Sequence, residues 1–237
     1  MLANNNQAMI RKLAKNSVKT NKKQYGILFV TIILSAFMLF GVLTTGLSYL
    51  DASRLQNTRL NGAKYDIATM NGFTSQQLDT LRQNKDVQNV GVESYAGFIK
   101  STEFDDTVEV GLLWCDAVFW DDLMAPARTK TDGRYPQHKN ELMVTKDILK
   151  TFGKETLAVG DSLTVTYENN TGVHTNEFTI SGIWDGYGDT SAAFVSKAFY
   201  DETGYNLKTD GILGIKLNHH ILLNILIQLL ILKIHPK

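Results

Sequence analysis

GILFVTIILSAFMLFGVLTTGLSYL, residues 26–50, is a run of 25 residues without Asp, Glu, Lys, Arg or His. At about 1.5 Å per residue a helix of this length crosses a hydrocarbon core of about 30 Å. Arg11, Lys12, Lys15, Lys19, Lys22 and Lys23 precede it, and residues 1–50 contain no Asp or Glu. Asp51 follows, and then a long polar stretch patterned like a folded domain. The run reads as one membrane-spanning helix. The alternatives are a cleaved secretory signal and a buried helix of a soluble protein. A signal core is about 7–15 residues, shorter than this run, although Thr45, Gly46 and Ser48 supply small residues for cleavage. The hydroxyls of Thr31, Ser35, Thr44, Thr45 and Ser48 are tolerable in lipid, because a helical hydroxyl can bond the preceding turn.

Basic residues beside a span favour the cytoplasmic side. The expected organisation is therefore a cytoplasmic basic segment (1–25), a transmembrane helix (26–50), an extracytoplasmic domain (51–217) and an atypical apolar tail (218–237). The first segment has the pattern of an amphipathic helix, with Met9, Ile10, Leu13, Ser17 and Val18 near one face and lysines around it. It can lie along an anionic leaflet or act only as a topology signal; both readings stand. The chain carries 24 basic and 24 acidic residues. That balance gives no signal for nucleic acid; the partner implied is the lipid bilayer.

Residues 51–217 suffice for one ordinary domain or two small lobes. Cys115 is the one cysteine, so no intrachain disulfide can form. An outer domain without disulfides suits a bacterial envelope better than a cysteine-stapled secreted module. In the apolar setting VEVGLLWCDAVFW, Cys115 reads as a buried small hydrophobe.

Strands and short helices alternate irregularly, which predicts a mixed α+β domain. Residues 51–64 continue the membrane helix or form a stalk. YDIATM is a strand, and residues 74–85 are a helix with Thr74 as cap and Gln77 at the capping-box position. Residues 86–100 read as strand broken by Gly91 and Gly97. Val108, Val110, Leu112 and Trp114 give a strand with one apolar side, and residues 116–124 a short helix. Residues 131–140 read as a loop. A short strand from Glu141 and a helix stopped by Gly153 follow. Leu163, Val165 and Tyr167 face one way, and after a turn at Asn169, Asn170 and Gly172 the facing strand carries Phe178, Ile180, Gly182 and Trp184. Short elements at residues 193–195, 197–201 and 212–217 complete the domain.

Three stretches carry a resemblance: the opening IRKLAKNSVKTNKKQYGILFVTIILSAFMLFGV, then GRYPQHKNELMVTKDILKTFG, then LAVGDSLTVTYENNTGVHTNEFTISGIWD. Their layout resembles the permease subunits of bacterial ABC transporters of the FtsX/MacB type. Gly133, Arg134, Pro136, Asn140, Glu141, Gly160, Asp161, Ile180, Gly182 and Ile183 match that pattern in order and roughly in spacing. The resemblance implies an extracytoplasmic MacB-like core domain and a separate cytoplasmic ABC-type ATPase, with a second permease copy as a further partner. It implies export or the handling of envelope peptides or lipoproteins. The chain has no G-x-x-x-x-G-K-[ST], so it has no P-loop of its own. The alternative is a single-span protein whose outer domain binds or senses without transport.

Read as residues, the motif is structural. Gly133 and Pro136 set a turn, Asp161 favours a turn beside Gly160, and Gly182 permits close approach. Arg134 and Glu141 are expected to pair across an exposed loop, contributing about 0–1 kcal/mol. The three later spans implied by the family do not appear. The tail NHHILLNILIQLLILKIHPK has an apolar core too short for an ordinary span, and reads as a truncated or frameshifted end, an interfacial helix or a divergent stub. No catalytic, cofactor-binding or metal-ligating residue is assigned. His219 and His220 are adjacent without a nearby Cys or acid, and His138 and His174 fall in polar turns. Asp105–Asp106 and Asp121–Asp122 read as solvated pairs, and Trp114, Trp120 and Trp184 as core.

Overall fold

The structure is a computed structural model and describes residues 6–100, 110–187 and 192–218. Two compact units divide within one long helix, at Met1–Arg54 and Leu55–Lys237. The first unit holds α1 (Gln7–Thr20) and most of α2 (Lys22–Leu60). Asn21, with φ −111° and ψ 38°, interrupts the two helices. Helix α2 has 39 residues and none is buried. At about 1.5 Å per residue it is roughly 58 Å long, about twice the hydrocarbon thickness, so its polar end runs on beyond the apolar run. Thr31 Oγ1 donates to the Ile27 carbonyl at 2.9 Å and Thr44 Oγ1 to that of Phe40 at 2.8 Å, which satisfies both hydroxyls within the helix.

The second unit is mixed α+β. Its strands are β1 (Ile67–Thr69), β2 (Val87–Lys100), β3 (Val110–Cys115), β4 (Arg128–Gly133), β5 (Glu141–Thr145), β6 (Ser162–Asn169), β7 (Gly172–Gly186), β8 (Ala192–Val195) and β9 (Gly211–Leu217). They form one sheet in the order β1-β9-β2-β3-β8-β5-β7-β4. Strand β6 pairs with both β7 and the end of β2, so β2, β3, β8, β5, β7 and β6 close into a ring. Closure removes free edges from those six strands. Short helices α3 (Ser75–Gln83), α4 (Lys146–Thr151), α5 (Lys197–Tyr200) and α6 (Leu207–Asp210) fill the connections.

The alternating strands sort their side chains into two cores. The larger gathers Val90, Val92, Leu112, Leu142, Val165, Phe178, Ile180 and Ile215 with Leu81, Ile148 and Phe199 from the helices. The second gathers Ala63, Cys115, Phe119, Trp120, Leu123, Met143, Trp184 and Phe194. Thr74 caps α3 as expected: its hydroxyl accepts the Gln77 N–H at 3.3 Å, and Gln77 Oε1 accepts the Thr74 N–H at 2.8 Å.

Four local expectations change. Residues 131–133 belong to β4, whose Thr131 pairs with Trp184. Its polar sequence RTKTDG is that of a charged edge strand rather than a loop. Gly91 does not break β2, which is continuous from Val87 to Lys100, with a bulge between Tyr95 and Gly97. The helix expected over residues 116–124 is a π-helix, Val118–Leu123. On β7, Phe178 and Ile180 enter the larger core but Trp184 enters the second. A bulge at Ser181 explains it: Leu142 pairs with Ile180 and Met143 with Gly182, and one extra residue reverses the face of all that follow.

Candidate functional site

The residues that carry the family-like pattern are distant in sequence and meet at one place. Ser181 sits at their centre. Its carbonyl accepts the Arg134 N–H at 2.9 Å, and its hydroxyl donates to the Leu142 carbonyl at 3.3 Å. Next to it, the Gly160 N–H reaches the Ile180 carbonyl at 2.8 Å and the Ile180 N–H reaches the Asp161 carbonyl at 2.9 Å. The Asn140 carbonyl accepts from Thr179 at 2.8 Å, and Asp161 Oδ2 accepts from Ala158 at 2.8 Å. Gly133 has φ +79°, and a Cβ there would lie 2.4 Å from the Ser181 carbonyl oxygen. A Cβ on Gly182 would lie 2.7 Å from the Arg134 oxygen. Only glycine permits these approaches.

Arg134 and Glu141 close the knot. The guanidinium donates two parallel bonds, at 2.8 and 2.5 Å, and Glu141 also accepts the N–H groups of Gln137 at 2.8 Å and His138 at 3.0 Å. Glu141 is buried, while Arg134 is exposed. The pair is therefore not the exposed contact expected from sequence. The Arg134 bonds, joined by the backbone donors, hold the Glu141 carboxyl down to about 2 despite burial. The arrangement locks a turn; it presents no nucleophile and no free base.

A second cluster lies on the face of β2 turned away from the larger core. Glu93 pairs with Cys115 of β3, and the second core adjoins them. Part of the Glu93 residue is accessible, yet protein surrounds its carboxyl closely enough for burial to push it up to about 7. The Tyr135 hydroxyl oxygen accepts the Cys115 N–H at 2.9 Å. Burial raises the Cys115 thiol and the Tyr135 phenol well above their ordinary values. That makes the thiol a poor nucleophile, in line with its reading as core. The chain enters the domain here: Ala63 packs in the second core, the Lys64 N–H donates to the Leu123 carbonyl at 2.7 Å, and Arg59 lies 3.8 Å from the centre of the Tyr187 ring. Sequence reading passed over Glu93, Tyr135 and Arg59. The one signal for Glu93 is that an acid stands in the otherwise apolar VGVESYAGF.

Among the described residues, no three His, Cys, Asp or Glu side chains gather as a metal site. His138 is exposed. His174 is not simply solvated: Nε2 lies 2.8 Å from Thr171 Oγ1, and the ring tilts against Tyr167. Asp122 accepts from Asn89 Nδ2 at 2.7 Å. Trp114, Trp120 and Trp184 are buried. Asp105, Asp106, His219, His220 and the tail beyond residue 218 lie outside the described residues. Asn218 itself is tied to the domain, through Lys85 and Asp86.

Among the described residues one helix, α2, is long and apolar enough to cross a membrane by length and composition. No protein-family model and no curated protein matches the chain. Among solved structures, it is similar to the extracellular domain of the noncanonic ABC-type transporter YknZ from Gram-positive bacteria. That match has 12% identity and TM-score 0.43, over 63% of this chain and 75% of that one. A domain assigned to a permease protein of Porphyromonas gingivalis matches at 13% identity and TM-score 0.45, over 71% of this chain and 78% of that one. The periplasmic region of MacB from Actinobacillus actinomycetemcomitans matches at 11% identity and TM-score 0.45, over 70% and 80%.

Proposed function

We propose that this chain is a membrane component of a bacterial ABC-type permease, with α2 in the bilayer, the second unit outside the cytoplasm and a separate ATPase as partner. The observation that carries the reading is the knot around Ser181. Residues of the permease pattern at 133–141, 160–161 and 180–183, from two of the three resembling stretches, join in one hydrogen-bonded unit, which supports reading them as one structural signature. The apolar, unburied α2 and the acid-free basic segment before it agree with that placement. The reading assigns export or the handling of envelope peptides or lipoproteins as the class of task, and no catalytic residue to this chain.

The test is isolation of the tagged full chain from bacterial membranes after an alkaline wash. Co-isolation of an ATP-binding ABC subunit, identified by mass spectrometry, is expected. Retention in the membrane without any ATPase favours an anchored binding or sensing protein instead. Recovery of the chain as a soluble monomer overturns both.

A further inference from the structure

Helix α1 has a two-sided surface, and none of its residues is buried. At about 100° per residue, Arg11, Lys12, Lys15 and Lys19 fall within an arc of roughly 100°. The remaining arc, from Met9 through Leu13 and Ile10 to Val18, contains no charged residue, and Ser17 and Thr20 share it. These four apolar side chains are 65%, 64%, 61% and 47% exposed. Lys22 and Lys23 open α2, and Ser17 Oγ lies 3.2 Å from Tyr25 Oη across the break at Asn21. The contact joins α1 to the start of the apolar helix.

We propose that α1 lies along the cytoplasmic face of the bilayer, with Met9, Ile10, Leu13 and Val18 in the acyl boundary and Arg11, Lys12, Lys15 and Lys19 against anionic phospholipid headgroups. This rests on the reading of α2 as a membrane span. A helix with four large apolar side chains on an uncharged face and cations confined to the other suits an interface in which one side is hydrocarbon and the other carries phosphates. Each lysine near an anionic surface favours the bound state roughly fivefold. An acidic protein groove would match the charges but not the width of the uncharged face.

The test uses the full chain carrying Cys115→Ala and one spin-labelled cysteine at Leu13, Lys15 or Phe37. Each protein is reconstituted in nanodiscs of phosphatidylcholine, alone or mixed with phosphatidylglycerol. In the mixed bilayer, the label at 13 is expected to be shielded from a water-soluble relaxation agent and the label at 15 to be accessible. In phosphatidylcholine alone, or with Lys12→Gln, Lys15→Gln and Lys19→Gln combined, position 13 should become several-fold more accessible. Equal accessibility at 13 in both lipids, whether shielded or open, overturns the proposal. The label at 37 reports on the premise: if it too is open to water, the membrane reading of α2 falls, whereas a shielded 37 with an open 13 sinks this inference alone.

Discussion

Arg134 grips Glu141 through two parallel hydrogen bonds, and the same carboxylate accepts two backbone N–H groups from the turn between them. A carboxylate with four donors is a staple for a loop that has no regular structure of its own. Glu141→Gln removes the charge from all four bonds and is expected to cost about 1–3 kcal/mol. The pH dependence has a definite sign. The folded-state value, about 2, lies below the ordinary 4.5. The staple's contribution is therefore complete above about 4.5 and lost as pH falls towards 2. Thermal melts of the detergent-solubilised chain should show a shallower acid limb in Glu141→Gln than in the parent. Arg134→Lys should also weaken the turn, because an ammonium cannot reproduce the two-pronged geometry.

Glu93 behaves in the opposite sense. Burial raises its carboxyl from 4.5 to about 7, so between those values the folded chain holds a proton that the unfolded chain releases. Stability from this group is complete below about 4.5 and declines as pH rises through 7. Because Glu93 is partly accessible, the loss is expected to be about 1–2 kcal/mol rather than the full shift. Glu93→Gln removes that slope. At pH 8 the variant should melt above the parent, and at pH 4 the two should coincide. A variant less stable than the parent at pH 8 would refute the account of a carboxyl penalised by burial.

Gly91 is expected to be irreplaceable for a steric reason. A Cβ added there would lie 2.7 Å from Phe119 Cα and 2.8 Å from Phe119 N, backbone atoms of the π-helix. Phe119 is fixed by the Asp116 carboxylate, whose Oδ1 accepts the N–H groups of both Val92 and Phe119. Neither side can yield without losing that anchor. Gly91→Ala should cost about 1–3 kcal/mol, with Tm lowered by roughly 2–4 °C per kcal/mol. Gly111→Ala is the matched control, since its nearest neighbour, Tyr95 Cε1, would be 3.4 Å away, an ordinary contact. Equal melting of the two variants would refute the steric account.

These sites also mark where sequence reading stopped. Features set by local chemistry were legible: the uncharged run inside α2, the capping box at Thr74, the alternation of Leu163, Val165 and Tyr167, and the burial of Cys115. Features set by distant pairing were not. The ring closes because β6 joins the end of β2, and no local pattern encodes that choice of partner. The bulge at Ser181 moves Trp184 to another core by one residue, which a two-residue period cannot anticipate. Arg134 and Glu141 were visible as a pair, but the burial of Glu141 depends on β5 being paired inside the sheet, with Glu141 beside Thr179 of β7. Glu93 drew no reading from the sequence, because the π-helix and Tyr135 that surround it come from distant stretches of the chain.

The orientation proposed for the chain rests on the charges beside α2 and can be measured directly. Six basic residues precede the apolar run, and no acid offsets them within residues 1–50. Placing that end outside would require carrying all six across the membrane, against the bias by which Lys and Arg remain cytoplasmic. The second unit supplies its own reporter: Val173, on the β6–β7 hairpin, is 64% exposed. In a Cys115→Ala background, single cysteines replacing Asn5 or Val173 can be treated in intact cells with a membrane-impermeant maleimide. The expected result is labelling at 173 only, with position 5 reacting once the cells are opened. Labelling at 5 and not at 173 would reverse the orientation and remove the permease reading with it. Labelling at neither position before lysis would place the second unit in the cytoplasm and refute the external placement.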